Sequence, residues 1–150
     1  MKTGLSGSFV LLSVKVMLEE DIMENAFITI KEGKIIDIGA MDQYTNHDDL
    51  EEILLHKELI ALPGFIDIHI HGLNGSDVMD ATEEALHSMA STLPKEGTTA
   101  FLATTITQEK TNISKALQNI HTYMENQPKS YACELLGVHL EGPFINAKRA

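Results

Sequence analysis

The strongest constraint on the fold is a spacing. Three apolar, β-prone runs begin near Gly64, Thr98 and Cys133, at intervals of 34 and 35 residues. Between them lie two stretches of helical period. Thr82 to Leu93 places Ala85, Leu86, Met89, Ala90 and Leu93 on one face, and Glu109 to Glu125 does the same with Ile113, Ala116, Leu117, Ile120 and Met124. Asp80 and Glu83 have capping-box spacing before the first helix, and Pro94 and Gly97 mark its end. The middle run, Thr98 to Ile106, is apolar on both sides, as a central parallel strand must be. The reading is βαβαβ, in the α/β class. Steady units of this size fit a TIM-like (β/α) barrel or a doubly wound sheet. Eight units would need about 280 residues beyond Gly64, so residues 64–150 are expected to hold only the first three strands of a partial barrel. Residues 146–150 supply no closing element, and the chain is expected to be the N-terminal portion of something longer.

The preceding residues follow a different grammar. Phe9 to Leu18, Ala26 to Ile30 and Lys34 to Ile38 read as strands, the last two joined through Glu32-Gly33 in a tight hairpin. Thr29 and Lys31 alternate with Ile28 and Ile30, which predicts a sheet buried on one face. Met41 to Lys57 is acidic and poorly patterned, and reads as loop or short helix over solvent. The expected organisation is therefore a β-rich segment of a small β-sandwich over 1–61 and the first βαβαβ part of a barrel over 62–150.

Composition excludes several functions. A formal net charge of −11 would repel nucleic acid and anionic membranes. It leaves room for a small anionic substrate, because local positive groups or a metal override the global field. The apolar run Phe9 to Leu12 is far shorter than the ~20 residues that span a bilayer. Cys133 is the single cysteine, so no intramolecular disulfide can form. A reducing, cytoplasmic setting is expected.

Chemistry concentrates at two places. His69 and His71 are two apart on a predicted strand and project from one face, which Asp67 shares, while Ile66, Ile68 and Ile70 fill the other. Polar groups on the inner face of a central strand are costly without partners, and a metal ion resolves that cost. The alternative is a pair of strand-end histidines touching solvent. His139 and Glu141 share a face at the end of the third strand, with Pro143 stopping it, and barrel active sites form at that end. Other candidates take the plainer reading. His47, His56, His87 and His121 read as surface residues, Gly72 to Ser76 as a strand-to-helix turn, and the methionines as core filling. The chain has no nucleotide-binding glycine pattern and no Gly-x-Ser-x-Gly elbow.

These residues carry a resemblance. Leu62-Pro63-Gly64-Phe65-Ile66-Asp67-Ile68-His69-Ile70-His71-Gly72 resembles the first-strand signature of the amidohydrolase superfamily. Gly137-Val138-His139-Leu140-Glu141-Gly142-Pro143-Phe144 is similar, more narrowly, to N-acetylglucosamine-6-phosphate deacetylases, and Glu96 to Thr99 and Ala103 to Thr105 fit the same group. The resemblance runs from about Ala26 to Ala150. It implies a small β-sandwich, built from both chain ends, beside a metal-binding TIM-like barrel. Glu141 matches the principal metal ligand, and His69 with His71 a pair that some members lack, so the site would take one or two divalent ions: zinc, iron or manganese. His139 would be a wall of the site or a neighbour of its ligands. The implied reaction is metal-dependent hydrolysis of N-acetylglucosamine 6-phosphate to glucosamine 6-phosphate and acetate. The catalytic aspartate and remaining histidine ligands of such enzymes lie on later strands, so no catalytic residue is assigned within 1–150. The expected partners are a phosphosugar and, at full length, a second copy in a homodimer. The competing readings are a dihydroorotase-like or D-aminoacylase-like amidohydrolase, and a non-catalytic metal-binding fragment.

Overall fold

A computed structural model describes residues 7–46, 48–128, 132–146 and 148. The chain divides into two compact units, Met1–Pro63 and Gly64–Ala150.

The first unit is a five-stranded sheet. β1 (Phe9–Met17) pairs antiparallel with β2 (Ile22–Lys31), which pairs antiparallel with β3 (Lys34–Ala40). Lys31 faces Lys34 across the predicted turn, and Glu32 (φ 50°) and Gly33 (φ 74°) both take the left-handed conformation of a two-residue hairpin. On its other side β1 pairs in parallel with β4 (Glu51–Leu54) and then β5 (Ile60–Ala61). The acidic stretch thus contains a strand that its composition hides. Glu51 and Glu52 are exposed there, and charge on an outer strand discourages pairing with other chains.

The expectation of one buried face is also corrected. Ala26, Phe27, Ile28, Thr29 and Ile30 of β2 are all buried. Ala26, Ile28 and Ile30 join one cluster with Val14 and Val16. Phe27 joins a second with Val10 and Leu12, against which Met41, Tyr44 and Leu50 pack. The segment read as loop or short helix over solvent does begin with a 3₁₀ turn, Met41–Gln43, but it covers the sheet's second face. β1 serves both clusters because Ser13 (φ 59°) forms a bulge: Leu12 pairs with Phe27 and Val14 with Ala26. One extra residue reverses which face the even-numbered side chains occupy.

The second unit is the predicted βαβαβ. β6 (Phe65–Ile70), β9 (Thr98–Thr104) and β10 (Glu134–His139) form a parallel sheet in the order β10-β9-β6. Between β6 and β9 lie a small hairpin, β7 (Gly72–Leu73) with β8 (Ser76–Asp77), and α1 (Glu83–Thr92); α2 (Lys110–Asn126) precedes β10. Most of the predicted helical stripes is buried: Ala85, Leu86, Met89, Ala90 and Leu93 from the first, and Ile113, Ala116 and Ile120 from α2, whereas Leu117 and Met124 are only half-buried. Tyr123, which the apolar pattern passes over, is buried with them. Leu86, Met89, Ala90, Ile120 and Tyr123 form one core cluster with Phe101, Ala103, Cys133 and Leu135 of the sheet side.

Three local readings change. Thr82, not Asp80, caps α1, its Oγ1 accepting from the Ala85 N–H at 3.2 Å. Asp80 instead closes a capping box with Asp77 on the 3₁₀ turn Val78–Asp80, because Ala81 (φ 53°) ends that turn before α1 begins. Gly72 to Ser76 is a hairpin whose turn, Asn74-Gly75, has both residues at positive φ. Ile66 and Ile68 do not fill a buried face; they are 59% and 63% exposed on an outer strand, and of the three isoleucines only Ile70 packs on the core. Among the described residues, no helix is long and apolar enough to cross a membrane.

Candidate metal centre

Two strand ends meet. His69 lies in β6 and His71 immediately follows it, while Glu141 stands two residues beyond β10. His69 Nε2 lies 2.9 Å and His71 Nε2 3.1 Å from the same carboxylate atom, Glu141 Oε2, and the two imidazole nitrogens lie 3.3 Å apart. Residues 69 and 141 are adjacent only because parallel strands align their C-terminal ends, with β9 between them. The side chains remain 47%, 37% and 40% exposed, so the cluster is open to solvent and to ligands. Among the described residues this is the one group of three His, Cys, Asp or Glu side chains with converging ligand atoms.

The donor set fits a divalent ion. Bonds of ~2.0–2.2 Å at angles of about 90–109° separate neighbouring ligand atoms by roughly 2.9–3.5 Å, and all three distances here lie in that interval. Two imidazoles and one carboxylate suit zinc and comparable metals. The His71 Nδ1 is buried and has no partner among the described residues, so Nε2 is the nitrogen left to act as the donor atom.

Asp67 does not join the cluster. Its Oδ1 accepts from the His69 backbone N–H at 2.9 Å, two residues along. The alternation that put it beside the histidines fails because the β6–β9 register slips between Asp67 and Ile70. His139 lies next to the donors but outside them. Its Nδ1–H donates to the Ile68 carbonyl oxygen at 2.8 Å, and its ring centroid is 4.3 Å from that of His69. Thr104, which enters the sequence reading only through the family resemblance, ties the site strand to its neighbour: wholly buried, it accepts from the Ile70 N–H at 2.9 Å.

The remaining candidates sit apart. His56, His87 and His121 are exposed, and His47 lies outside the described residues. Cys133 is buried at 2% exposure, and desolvation, with help from the Asp67 and Glu134 charges, pushes its thiol up to about 11. A thiol held protonated in this way is a poor nucleophile.

Known proteins resemble this chain. The pattern of the Amidohydrolase family matches residues 60–150. The N-acetylglucosamine-6-phosphate deacetylase of Bacillus subtilis (strain 168) is 42% identical over 147 residues, which are 97% of this chain and 37% of that protein. The N-acetylgalactosamine-6-phosphate deacetylase of Escherichia coli O157:H7 is 30% identical over 136 residues, 91% of this chain and 33% of its own length. The solved structure of N-acetylglucosamine-6-phosphate deacetylase from Pasteurella multocida superposes with a TM-score of 0.81 at 25% identity, over 94% of this chain and 36% of that one. This chain therefore spans about a third of the length of these relatives. With more than half of its length inside the family pattern, and both signature strands carrying the converging donors, the chain belongs to the amidohydrolase family.

Proposed function

We propose that this chain is part of a metal-dependent amide hydrolase that converts N-acetylglucosamine 6-phosphate to glucosamine 6-phosphate and acetate. The observation that carries the reading is the convergence of His69, His71 and Glu141 on one point at the strand ends. The 42% identity to a deacetylase over nearly the whole chain supports the substrate assignment. In this proposal Gly64–Ala150 forms the first three strands of a TIM-like barrel, and Met1–Pro63 contributes to a small β-sandwich. The protein works in the cytoplasm, as a homodimer.

His69, His71 and Glu141 would hold one or two ions of zinc, iron or manganese. Such an ion supplies Lewis acidity toward the amide carbonyl and lowers the pKa of water. The chain's own groups have simpler tasks. Neutral imidazoles at 69 and 71 present lone pairs without adding charge, and Glu141 supplies the only negative charge of the trio. Their partial exposure keeps a path open for an acetamide to approach. No group within residues 1–150 is proposed to transfer the proton to the leaving amine.

Acetate release tests the proposal. The full-length protein should release acetate from N-acetylglucosamine 6-phosphate in a metal-dependent way, and Glu141→Ala should abolish turnover. Residues 1–150 alone should release none, because a missing general acid–base group alone costs about 10²–10⁴-fold. Preference for N-acetylgalactosamine 6-phosphate would move the substrate assignment. Turnover of dihydroorotate or N-acyl-D-amino acids, without the phosphosugars, would overturn it.

A further inference from the structure

The peptide unit that joins Ile68 to His69 is gripped on both edges. Its carbonyl oxygen accepts from the His139 Nδ1–H at 2.8 Å, and its N–H donates to Asp67 Oδ1 at 2.9 Å. It lies within the slip in the β6–β9 ladder, between the pairs Asp67 with Phe101 and Ile70 with Ala103. Three residue steps on β6 there oppose two on β9, the signature of a bulge. A bulge takes backbone groups out of the ladder, and those groups need other partners. Here the partners are two side chains, one local and one 71 residues away in sequence.

The consequence is geometric. A planar peptide does not rotate internally, so bonds on its two edges fix its plane. That plane fixes the His69 N–Cα bond, and with the next peptide held by the Ile70 N–H bond to Thr104 it limits the direction of the Cα–Cβ bond and so where Nε2 points. The His139 bond passes over the intervening strand β9 and ties the bulge to the same strand that leads to Glu141. A carbonyl only accepts, so His139 carries its proton on Nδ1. The His139 ring also lies against His69 at 4.3 Å and 48°, closing one side of its rotamer space.

We propose that Asp67 and His139 act as a clamp on the Ile68–His69 peptide, as positioning residues that aim His69 Nε2 at Glu141. This rests on the metal reading above. Neither residue would touch substrate; each acts through His69. The clamp also explains two residues of the signature that stay outside the donor set.

The test uses zinc affinity of the full-length protein, measured by competition with a chromophoric chelator. His139→Asn places an amide N–H close to the position of Nδ1 and should stay within about threefold of wild type, whereas His139→Phe keeps a ring without the donor and should weaken zinc by about 10-fold or more. Asp67→Asn keeps the acceptor oxygen and should be mild, while Asp67→Ala should resemble His139→Phe. Equal losses in the Asn and Phe variants at 139, or none in either, would overturn the clamp. Should the Phe variant fail to fold, the wild-type tautomer decides instead. Long-range ¹⁵N couplings should show the proton of His139 on Nδ1, and an Nε2–H form would refute the bond. Wild-type protein that binds no zinc would sink the metal reading itself, while the tautomer measurement would still judge the clamp.

Discussion

Thr29 offers a prediction whose sign is fixed by the structure. Its side chain is wholly buried in the middle of β2, and its Oγ1 has no hydrogen-bond partner among the described residues. It faces Val10 across one ladder and Asp37 across the other, on the sheet face covered by Met41, Tyr44 and Leu50. An unpaired buried hydroxyl costs about 1–3 kcal/mol of desolvation. Thr29→Val keeps the shape and removes that cost. Because Asp37 on the outer strand β3 is exposed, we expect the lower part of the range, about 1–2 kcal/mol of stabilisation. That is roughly a 5- to 30-fold change in the folded-to-unfolded ratio. Native-state amide exchange of β2 in the full-length protein reads this directly, since it reports opening of the local unit. The β2 amides should exchange more slowly by that factor, with those of β9 unchanged. Thr29→Ser retains the hydroxyl and loses a methyl, so it should accelerate exchange, by about 0.8 kcal/mol. Unchanged or faster exchange in Thr29→Val would mean that the hydroxyl is satisfied, and the reasoning would fail.

Further outcomes follow from the same packing. Cys133, with its thiol pushed up to about 11, should resist iodoacetamide at pH 8 in the folded protein and react once urea opens the second unit; rapid labelling of folded protein would contradict its placement. The raised thiol pKa also has a sign for stability: the buried neutral form is favoured, so the Cys133 contribution is present above the ordinary thiol pKa as a penalty, growing until pH reaches about 11. Stability should therefore fall between about pH 9 and 11, and Cys133→Ala should flatten that part of the curve. Thr82→Ala removes the α1 cap and should cost about 1 kcal/mol in urea denaturation; a neutral result would show the cap to be idle. Residues 1–150 produced alone, with Ile66, Ile68, Leu136 and Leu140 between 45% and 63% exposed, should self-associate or bind a hydrophobic dye. A monomer with a sharp two-state melt and no dye binding would show that those side chains are tolerated in water.

What was legible in the sequence followed period and spacing. The βαβαβ order, the buried stripes of both helices and the Glu32-Gly33 hairpin depend on local pattern, and each stands in the structure. Bulges were not legible. Ser13 reverses the inward face of β1, and the slip near Ile68 turns Asp67 away from the histidines, although strict alternation puts it with them. Both are one-residue departures set by tertiary pairing. The acidic segment misled for a related reason: β4 forms against β1 with mostly exposed side chains, so its strand character lies in the backbone ladder. The Asn74-Gly75 hairpin, by contrast, carried its usual signal and was passed over. At the site, His69, His71 and Glu141 could be named from two short motifs. Their meeting within 3.3 Å required the parallel order of β6, β9 and β10.

The most direct test of the metal reading is anomalous diffraction from crystals of the full-length protein grown with zinc. A peak bonded to His69 Nε2, His71 Nε2 and Glu141 Oε2, each at ~2.0–2.2 Å, is expected. That peak should vanish in the His69→Ala, His71→Ala double variant or move onto other ligands. A strong zinc peak elsewhere, with these three side chains still hydrogen-bonded to one another, would contradict it.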